Sequence, residues 1–321
     1  MRVELAPVEQ RGGIWFKRED VVGGKGRRLR FMLREYEAGT DGPYGMIVAT
    51  PAASSIPAYV AREGARLGWP VKAIAGVNSL EAARRIEPFV VAEALGAELI
   101  AAGSGPHGWR REQARRRLLA EHPSYFNVPP GVNPARKEPE WLRRFYLCSA
   151  GQVANLPDID TLIIPCGGGN ATAAILLGLA FYYHGAPLRI VLGLMGHDGQ
   201  GRMRAGAEQR IYAAVRDVPG ALAMFERAER WPVYPQSEYG KPARTEHEGL
   251  RLHSHYEGKL WRYLLAYHPK LVTLRTCFWV VDGEPRLEEW VGLDALTSSA
   301  TEIELPTFEY AAEPPPQPEL F

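Results

Sequence analysis

The chain is poor in cysteine and lysine and has no surplus of charge of either sign, and each shortage excludes something. Only three cysteines occur in 321 residues, Cys148, Cys166 and Cys277. Odd in number and far apart, they describe neither a disulfide framework nor a zinc site. Thirty-eight basic residues against thirty-seven acidic ones leave a net charge of +1, so the basic excess of a dedicated nucleic-acid binder is missing. No apolar run reaches the roughly 18 residues of a bilayer-spanning helix; the longest candidate, Ala171 to Tyr183, has aromatic and polar breaks. The opening Met1-Arg2-Val3-Glu4 has no secretory apolar segment. A reduced, cytoplasmic protein without a membrane partner is expected. The eight histidines show no repeated metal spacing, so no metal site is expected. Lysine is confined to positions 17, 25, 72, 137, 241, 259 and 270. Chemistry that needs an amine has seven candidates.

What is present is a core. Hydrophobic residues make up 46% of the chain, and the length suits about two domains. Short apolar strands at Ile14–Lys17, Met46–Ala49, Val71–Ala75, Glu98–Ala101, Thr161–Pro165 and Arg189–Leu194 alternate with helical spacings. The helices expected are Arg27 to Gly39, one from just after the small-residue loop Thr50–Ser55 to Leu67, Leu80 to Leu95, Trp109 to Glu121, Leu142 to Asn155, Ala171 to Tyr183, two around Ala205 to Arg230, Thr245 to Ser254, and Lys259 to Tyr267. Leu271 to Val281 supplies the last strands. Strand alternating with helix predicts βαβ units and parallel sheets, an α/β fold. From Ser298 the chain becomes acidic and Pro-rich, and this tail is expected to be mobile.

Three stretches carry chemistry. The first is Cys166-Gly167-Gly168-Gly169-Asn170-Ala171 between a buried strand and an apolar helix. Consecutive glycines let backbone N–H groups approach an anion, and the helix N-terminus behind them adds partial positive charge. No Gly-Lys-Ser/Thr follows, and no G-x-G-x-x-G is present, so a small phosphate fits better than a nucleotide P-loop. A glycine turn used only for packing is the bland alternative. The second is Phe16-Lys17-Arg18-Glu19-Asp20, then Gly23-Gly24-Lys25-Gly26-Arg27-Arg28-Leu29. A lysine at a glycine-flanked helix start is placed to act as a neutral, nucleophilic amine, although a lysine in a glycine-rich loop is most often simply solvated. The third is Ser237-Glu238-Tyr239-Gly240 with His255-Tyr256-Glu257-Gly258-Lys259, which can supply an acid/base and a carboxylate acceptor.

In this order the stretches resemble the fold type II pyridoxal-phosphate (PLP) enzymes of the tryptophan synthase β superfamily, nearest the 1-aminocyclopropane-1-carboxylate (ACC) deaminase and D-cysteine desulfhydrase branch. The resemblance runs from about Trp15 to Val281. It implies a two-domain three-layer α/β/α fold. A larger PLP domain would use 1–42 and 155–297, and a smaller α/β domain 43–154 would close over the cleft. It makes Lys25, not Lys17, the Schiff-base lysine, and Gly167, Gly168, Gly169, Asn170 and Ala171 the cradle of the PLP phosphate. Tyr256 would face the substrate, Glu257 would meet the pyridine nitrogen, and Thr276 on the last strand would lie near the ring. A homodimer is implied as well. The branch has Ser-Asn-His or Ser-Asn-Gln before the helix that follows the strand at Ala49, contacting the substrate carboxylate and the PLP 3′-oxygen. Here Ser54 stands for the Ser, Ser55 replaces the Asn, and Ile56 removes the polar third residue. An ordinary amino-acid carboxylate is therefore held differently, or the substrate is not an ordinary amino acid.

The activity this implies is a PLP-dependent lyase or deaminase acting on an amino acid through a Schiff base and a Cα carbanion. One alternative is a PLP-dependent decarboxylase or lyase that tailors an amino acid attached to a nucleobase in phage DNA. The Arg27-Arg28-Arg30 and Arg110-Arg111/Arg115-Arg116-Arg117 clusters suit it, though solvated helix faces explain them more simply. The other alternative is a non-catalytic PLP-fold binding protein.

Overall fold

The computed structural model describes residues 2–39, 44–52, 54–103, 108–134, 138–198, 200–204, 206–238, 240–282 and 302–304. The chain opens with β1 (Arg2–Glu4), β2 (Val8–Arg11), β3 (Ile14–Arg18), a short α1 (Glu19–Val22) and α2 (Gly24–Glu37). A βαβ series follows: β4 (Met46–Thr50), α3 (Ile56–Leu67), β5 (Val71–Ala75), α4 (Leu80–Ala83), α5 (Glu87–Ala94), β6 (Glu98–Ala101), α6 (Trp109–Glu121) and β7 (Phe126–Asn127). These strands form an all-parallel sheet in the order β6-β5-β4-β7. Parallel neighbours need crossover connections; α3 links β4 to β5 and α4 with α5 links β5 to β6, while α6 carries the chain from β6 back across the sheet to β7 beside β4.

The second half contributes α7 (Pro139–Ala150), β8 (Thr161–Cys166), α8 (Asn170–Tyr182), β9 (Arg189–His197), α9 (Ala207–Val215), α10 (Pro219–Arg227) and β10 (Glu229–Pro235). Then come the strands β11 (Thr245–His247) and β12 (Leu250–Leu252), the helix α11 (Glu257–Tyr267), and the strands β13 (Thr276–Val280) and β14 (Glu302–Glu304). The larger sheet runs β10-β9-β8-β13-β3-β2 and is parallel except for β2. Every residue of β8 and β13 is buried, as expected of strands covered by helices on both faces. α8 is buried nearly all round, and each of its interior Leu and Ile side chains contributes about 1.5–3 kcal/mol. The architecture is mixed α/β with mainly parallel sheets and helices on both faces, the fold class expected from the strand–helix alternation. No helix among the described residues is long and apolar enough to cross a membrane.

The structure departs from the expected elements at four places. Residues 245–254 are not a helix but the hairpin β11–β12. Glu248 and Gly249 have φ of +43° and +79°, the pair of positive angles that a two-residue hairpin turn requires. The helix expected over Leu80–Leu95 is two, because Pro88 sits in the first turn of α5 and the chain resets at Arg84–Ile86. β10 occupies Glu229–Pro235, where the end of a helix was expected. The helix over 142–155 ends at Ala150 and continues as a 3-10 turn to Asn155. Of the tail, residues 302–304 pair with β1; the rest, like Tyr239, lies outside the described residues.

Candidate active site

The carboxyl ends of β4, β8 and β13 converge on one cavity of ≈ 500 Å³. Ligand sites in parallel α/β sheets sit there because loops and helix N-termini leave the strands at that end. Ala49 and Thr50 come from β4, Pro165 from β8, and Val281 and Asp282 from just beyond β13. Lys25, Arg28, Ser54, Ile56, Gly167, Gly168, Gly169, Asn170, Ala171, Tyr256 and Glu257 complete most of the wall. The residues singled out in the sequence line this wall with two exceptions: Ser55, which reaches it only through its contact with Lys25, and Thr276.

Lys25 lies in the first turn of α2, one residue past the helix start, rather than in a loop. Its Nζ donates to Asp282 Oδ2 at 2.5 Å and to Ser55 Oγ at 3.1 Å. Among the described residues it is the lysine that lines the cavity. Lys17 is fully buried elsewhere, donating to the Ala6 carbonyl at 2.7 Å and to Asn155 Oδ1. Burial pushes the Lys17 amine down to about 7, yet it has a structural duty, tying the segment after β1 to the turn after α7.

The glycine loop divides into two parts. Gly169 has φ +84°, and a Cβ there would stand 2.7 Å from the Ala207 carbonyl oxygen, so the fold itself demands glycine. At Gly167 and Gly168 nothing lies closer than 3.5 Å to such a Cβ, and neither φ is left-handed. The protein does not require glycine there, but a ligand resting on the loop would. α8 starts directly behind it with no side-chain cap and no acidic residue in its first turn, which leaves N–H donors for an anion. Asn170 is already committed: its amide donates to Asn133 Oδ1 at 2.8 Å, and its Oδ1 accepts from the Tyr146 hydroxyl at 3.1 Å.

Arg28 is the residue missed by sequence reasoning. It was grouped with Arg27 and Arg30 as a solvated face, but Arg28 is only 2% exposed and lines the cavity. Its buried Nε has no partner among the described residues, and none of their carboxylates forms an ion pair with it, although its charge reaches Asp282. A buried cation left in this state points to an anionic ligand. Arg27, by contrast, pairs with Glu19, and Arg30 with Glu63. On α6 the solvated-face expectation describes Arg115 and Arg116, which pair with Glu112. Arg204 and Arg210 add two more cations to the cavity wall; the Nε of Arg210 donates to the Gly168 carbonyl at 2.7 Å.

Glu257 opens α11 with its side chain wholly buried. Its Oε1 accepts from the backbone N–H groups of Val281 and Asp282, both at 2.9 Å, and its Oε2 has no partner among the described residues. Burial first, then the charge of Asp282, pushes the Glu257 carboxyl up to about 8, so it carries a proton at neutral pH. Burial also opposes charge on Asp282, but Lys25, His253 and Arg28 outweigh it and hold that carboxyl below its ordinary value. Tyr256 packs its ring edge over Gly167 and 4.7 Å from the His253 ring.

Thr276 corrects the sequence-based expectation. It is the first residue of β13, in register with Thr161 at the start of β8, while the cavity lies at the opposite end of both strands. Asp282, just past the end of the same strand, occupies the place by the cavity that was expected for Thr276. A lone Asp after a strand has no motif to reveal it. Cys166 adjoins the glycine loop, but burial pushes its thiol up to about 11, which makes it an inert packing group.

No protein-family model matches the chain. A curated protein of Salmonella phage ViI, described as an O-seryl-dTMP PLP-dependent decarboxylase, is 23% identical across 88% of this chain and 81% of its own length. Among solved structures, an ACC deaminase homologue superimposes with a TM-score of 0.61 at 19% identity, covering 92% of this chain and 95% of that one. The processed form of threonine deaminase isoform 2 from Solanum lycopersicum gives 0.54 at 16% identity, over 92% and 84%. O-acetyl serine sulfhydrylase isoform 3 from Entamoeba histolytica gives 0.52 at 15% identity, over 92% of each chain.

Proposed function

We propose that this chain, whose fold is that of the type II PLP enzymes, is a PLP-dependent enzyme that removes the carboxylate from an amino-acid unit carried on a nucleotide. PLP, the expected cofactor, supplies when bound an electron sink for a bond broken at the substrate Cα. The residues present fit it. Arg28, Gly167, Gly168 and the N-terminus of α8 offer a phosphate seat, and Lys25 offers the amine. Glu257, with a protonated carboxyl whose Oε2 has no partner among the described residues, would meet a ring nitrogen, and Tyr256 on the cavity wall and Ser55 through its contact with Lys25 would stand near the ring.

The wall where the resemblance puts the substrate carboxylate carries the choice of reaction. Ser54 Oγ accepts the Ile56 N–H at 3.3 Å and Ser55 Oγ accepts from Lys25, which leaves each hydroxyl hydrogen to donate, while the Ile56 side chain has no polar atom. A carboxylate in this seat would be met from this segment by two neutral hydroxyls and no third polar side chain, and its departure as CO2 would relieve that modest pairing. The phage relative is described as a decarboxylase of a seryl nucleotide, and Arg204 and Arg210 add positive charge to the cavity wall that suits a second phosphate. A second reading, elimination or deamination of a free amino acid, is favoured by the likeness to the ACC deaminase homologue. In either case the four-stranded unit, 43–154, would close on the rest when substrate binds.

Purified protein supplied with PLP would be given O-seryl-dTMP, D-cysteine and ACC, with CO2 and ammonia measured separately. CO2 from the nucleotide conjugate, lost together with the yellow colour in Lys25→Ala, is the expected outcome. Ammonia from the free amino acids with no CO2 from the conjugate would replace this reading by the second.

A further inference from the structure

Lys25 has one charged partner among the described residues, Asp282, and the ion pair brings together groups 257 positions apart in the chain. Asp282 Oδ2 holds the Lys25 ammonium, while Oδ1 is buried without a partner among the described residues. Around Asp282 stand Lys25 and Arg28 from α2, Tyr59 from α3, and His253 and Glu257 from the approach and first turn of α11. Of the two neighbouring carboxyls, Glu257 is held by two backbone N–H groups and Asp282 by cations. The proton of the pair therefore resides on Glu257 and the charge on Asp282.

We propose that Asp282 is the positioning residue that makes Lys25 a proton donor rather than a proton acceptor. This rests on the decarboxylation reading. When the Cα–carboxylate bond breaks, CO2 leaves and its bonding pair stays on the Cα side. The Lys25 ammonium, aimed by Asp282, then gives its proton to form the new Cα–H bond. That transfer leaves Lys25 as the free amine, the form it needs to displace product. An elimination from a free amino acid such as D-cysteine starts instead by taking the Cα proton, a task an ammonium cannot perform. The carboxylate beside Lys25 thus selects between the two reaction classes.

The test separates the ion pair from the reaction. In cofactor-free protein, a short pulse of acetic anhydride at fixed pH followed by mass spectrometry measures how much of Lys25 is free amine. Asp282→Asn should acylate roughly ten-fold faster than wild type. Asp282→Glu should behave like wild type, and Ser55→Ala, which removes the uncharged contact, should change little. With PLP and O-seryl-dTMP, Asp282→Asn should lower kcat roughly ten-fold with KM little changed, and Asp282→Glu should restore most of it. Equal acylation in all four proteins overturns the proposal and leaves the reaction reading intact. Faster acylation in Asp282→Asn with no CO2 from any wild-type reaction overturns the reaction reading, and with it the proton delivery. CO2 release that is unchanged in Asp282→Asn despite faster acylation also overturns the proposal.

Discussion

Arg28→Met is the substitution with the most informative pair of signs. In the cofactor-free protein Arg28 is a guanidinium 2% exposed, with no carboxylate partner among the described residues. A buried ion carries a desolvation penalty of several kcal/mol; since this one borders a cavity that admits water, a net relief of about 1 kcal/mol is reasonable on replacement by Met. For a chain of this size that raises Tm by about 2 °C. In the cofactor-bound protein the same change removes about two charge-assisted hydrogen bonds to the phosphate, worth about 1.5–3 kcal/mol each. With partial replacement by water the loss is about 3 kcal/mol, or roughly 100-fold in Kd. Thermal melts with and without PLP, and a fluorescence titration of PLP, read both effects. Weaker binding with an equal or higher melting temperature is expected. A fall in the cofactor-free melting temperature beyond about 5 °C would make Arg28 a structural residue, and an unchanged Kd would remove it from the phosphate seat.

Other variants test other parts of the wall. Gly167→Ala and Gly168→Ala should leave the fold intact and weaken PLP binding, because a Cβ meets nothing closer than 3.5 Å in the protein. Gly169→Ala, with a left-handed φ and a carbonyl oxygen at 2.7 Å, should destabilise the protein by at least about 1–2 kcal/mol, measured by urea unfolding. Glu257, with a folded value raised to about 8 from 4.5, holds a proton in the folded state that the unfolded chain releases. Its contribution to stability is therefore full below about pH 4.5 and lost as pH rises to about 8, with a slope of up to about 1.4 kcal/mol per pH unit. Asp282 is shifted the other way and acts only at lower pH, so the two windows do not overlap. Glu257→Gln should flatten the decline in cofactor-free urea midpoints between those values; an equally steep decline in the variant would place the titration elsewhere.

The parts of the molecule legible in the sequence are those where a local pattern and a tertiary role coincide. β5, β6 and α6 begin and end where their apolar spacing does. The glycine loop was visible because three glycines before an apolar helix are both a turn signal and an anion signal. The hairpin of β11 and β12 was missed because Thr-Glu-His and Leu-Arg-Leu are too short for alternation to outweigh helical spacing, and the turn residue Glu248 is a good helix former that is forced to positive φ. Arg28 was misjudged for another reason. Burial of a cation depends on what approaches from far along the chain, and no spacing on α2 distinguishes Arg28 from Arg30. Thr276 was set by the cavity on the right strand but at the wrong end, since strand direction relative to the cavity is a property of the assembled sheet.

The position of β13 between β8 and β3 governs how the chain can be made. A ribosome releases β3 and β8 long before Thr276–Val280 exists, yet the two earlier strands touch only through that late one. Until then each presents an open, largely apolar edge, the kind of surface that recruits neighbouring chains. The larger sheet is therefore completed only after Thr276–Val280 has been made. A truncation before residue 276 should yield aggregates rather than a smaller soluble unit. The same strand ends at Asp282, so the last piece of the sheet to arrive is also the one that brings Lys25 its partner. Retention of cofactor would then report directly that β13 has taken its place between β8 and β3.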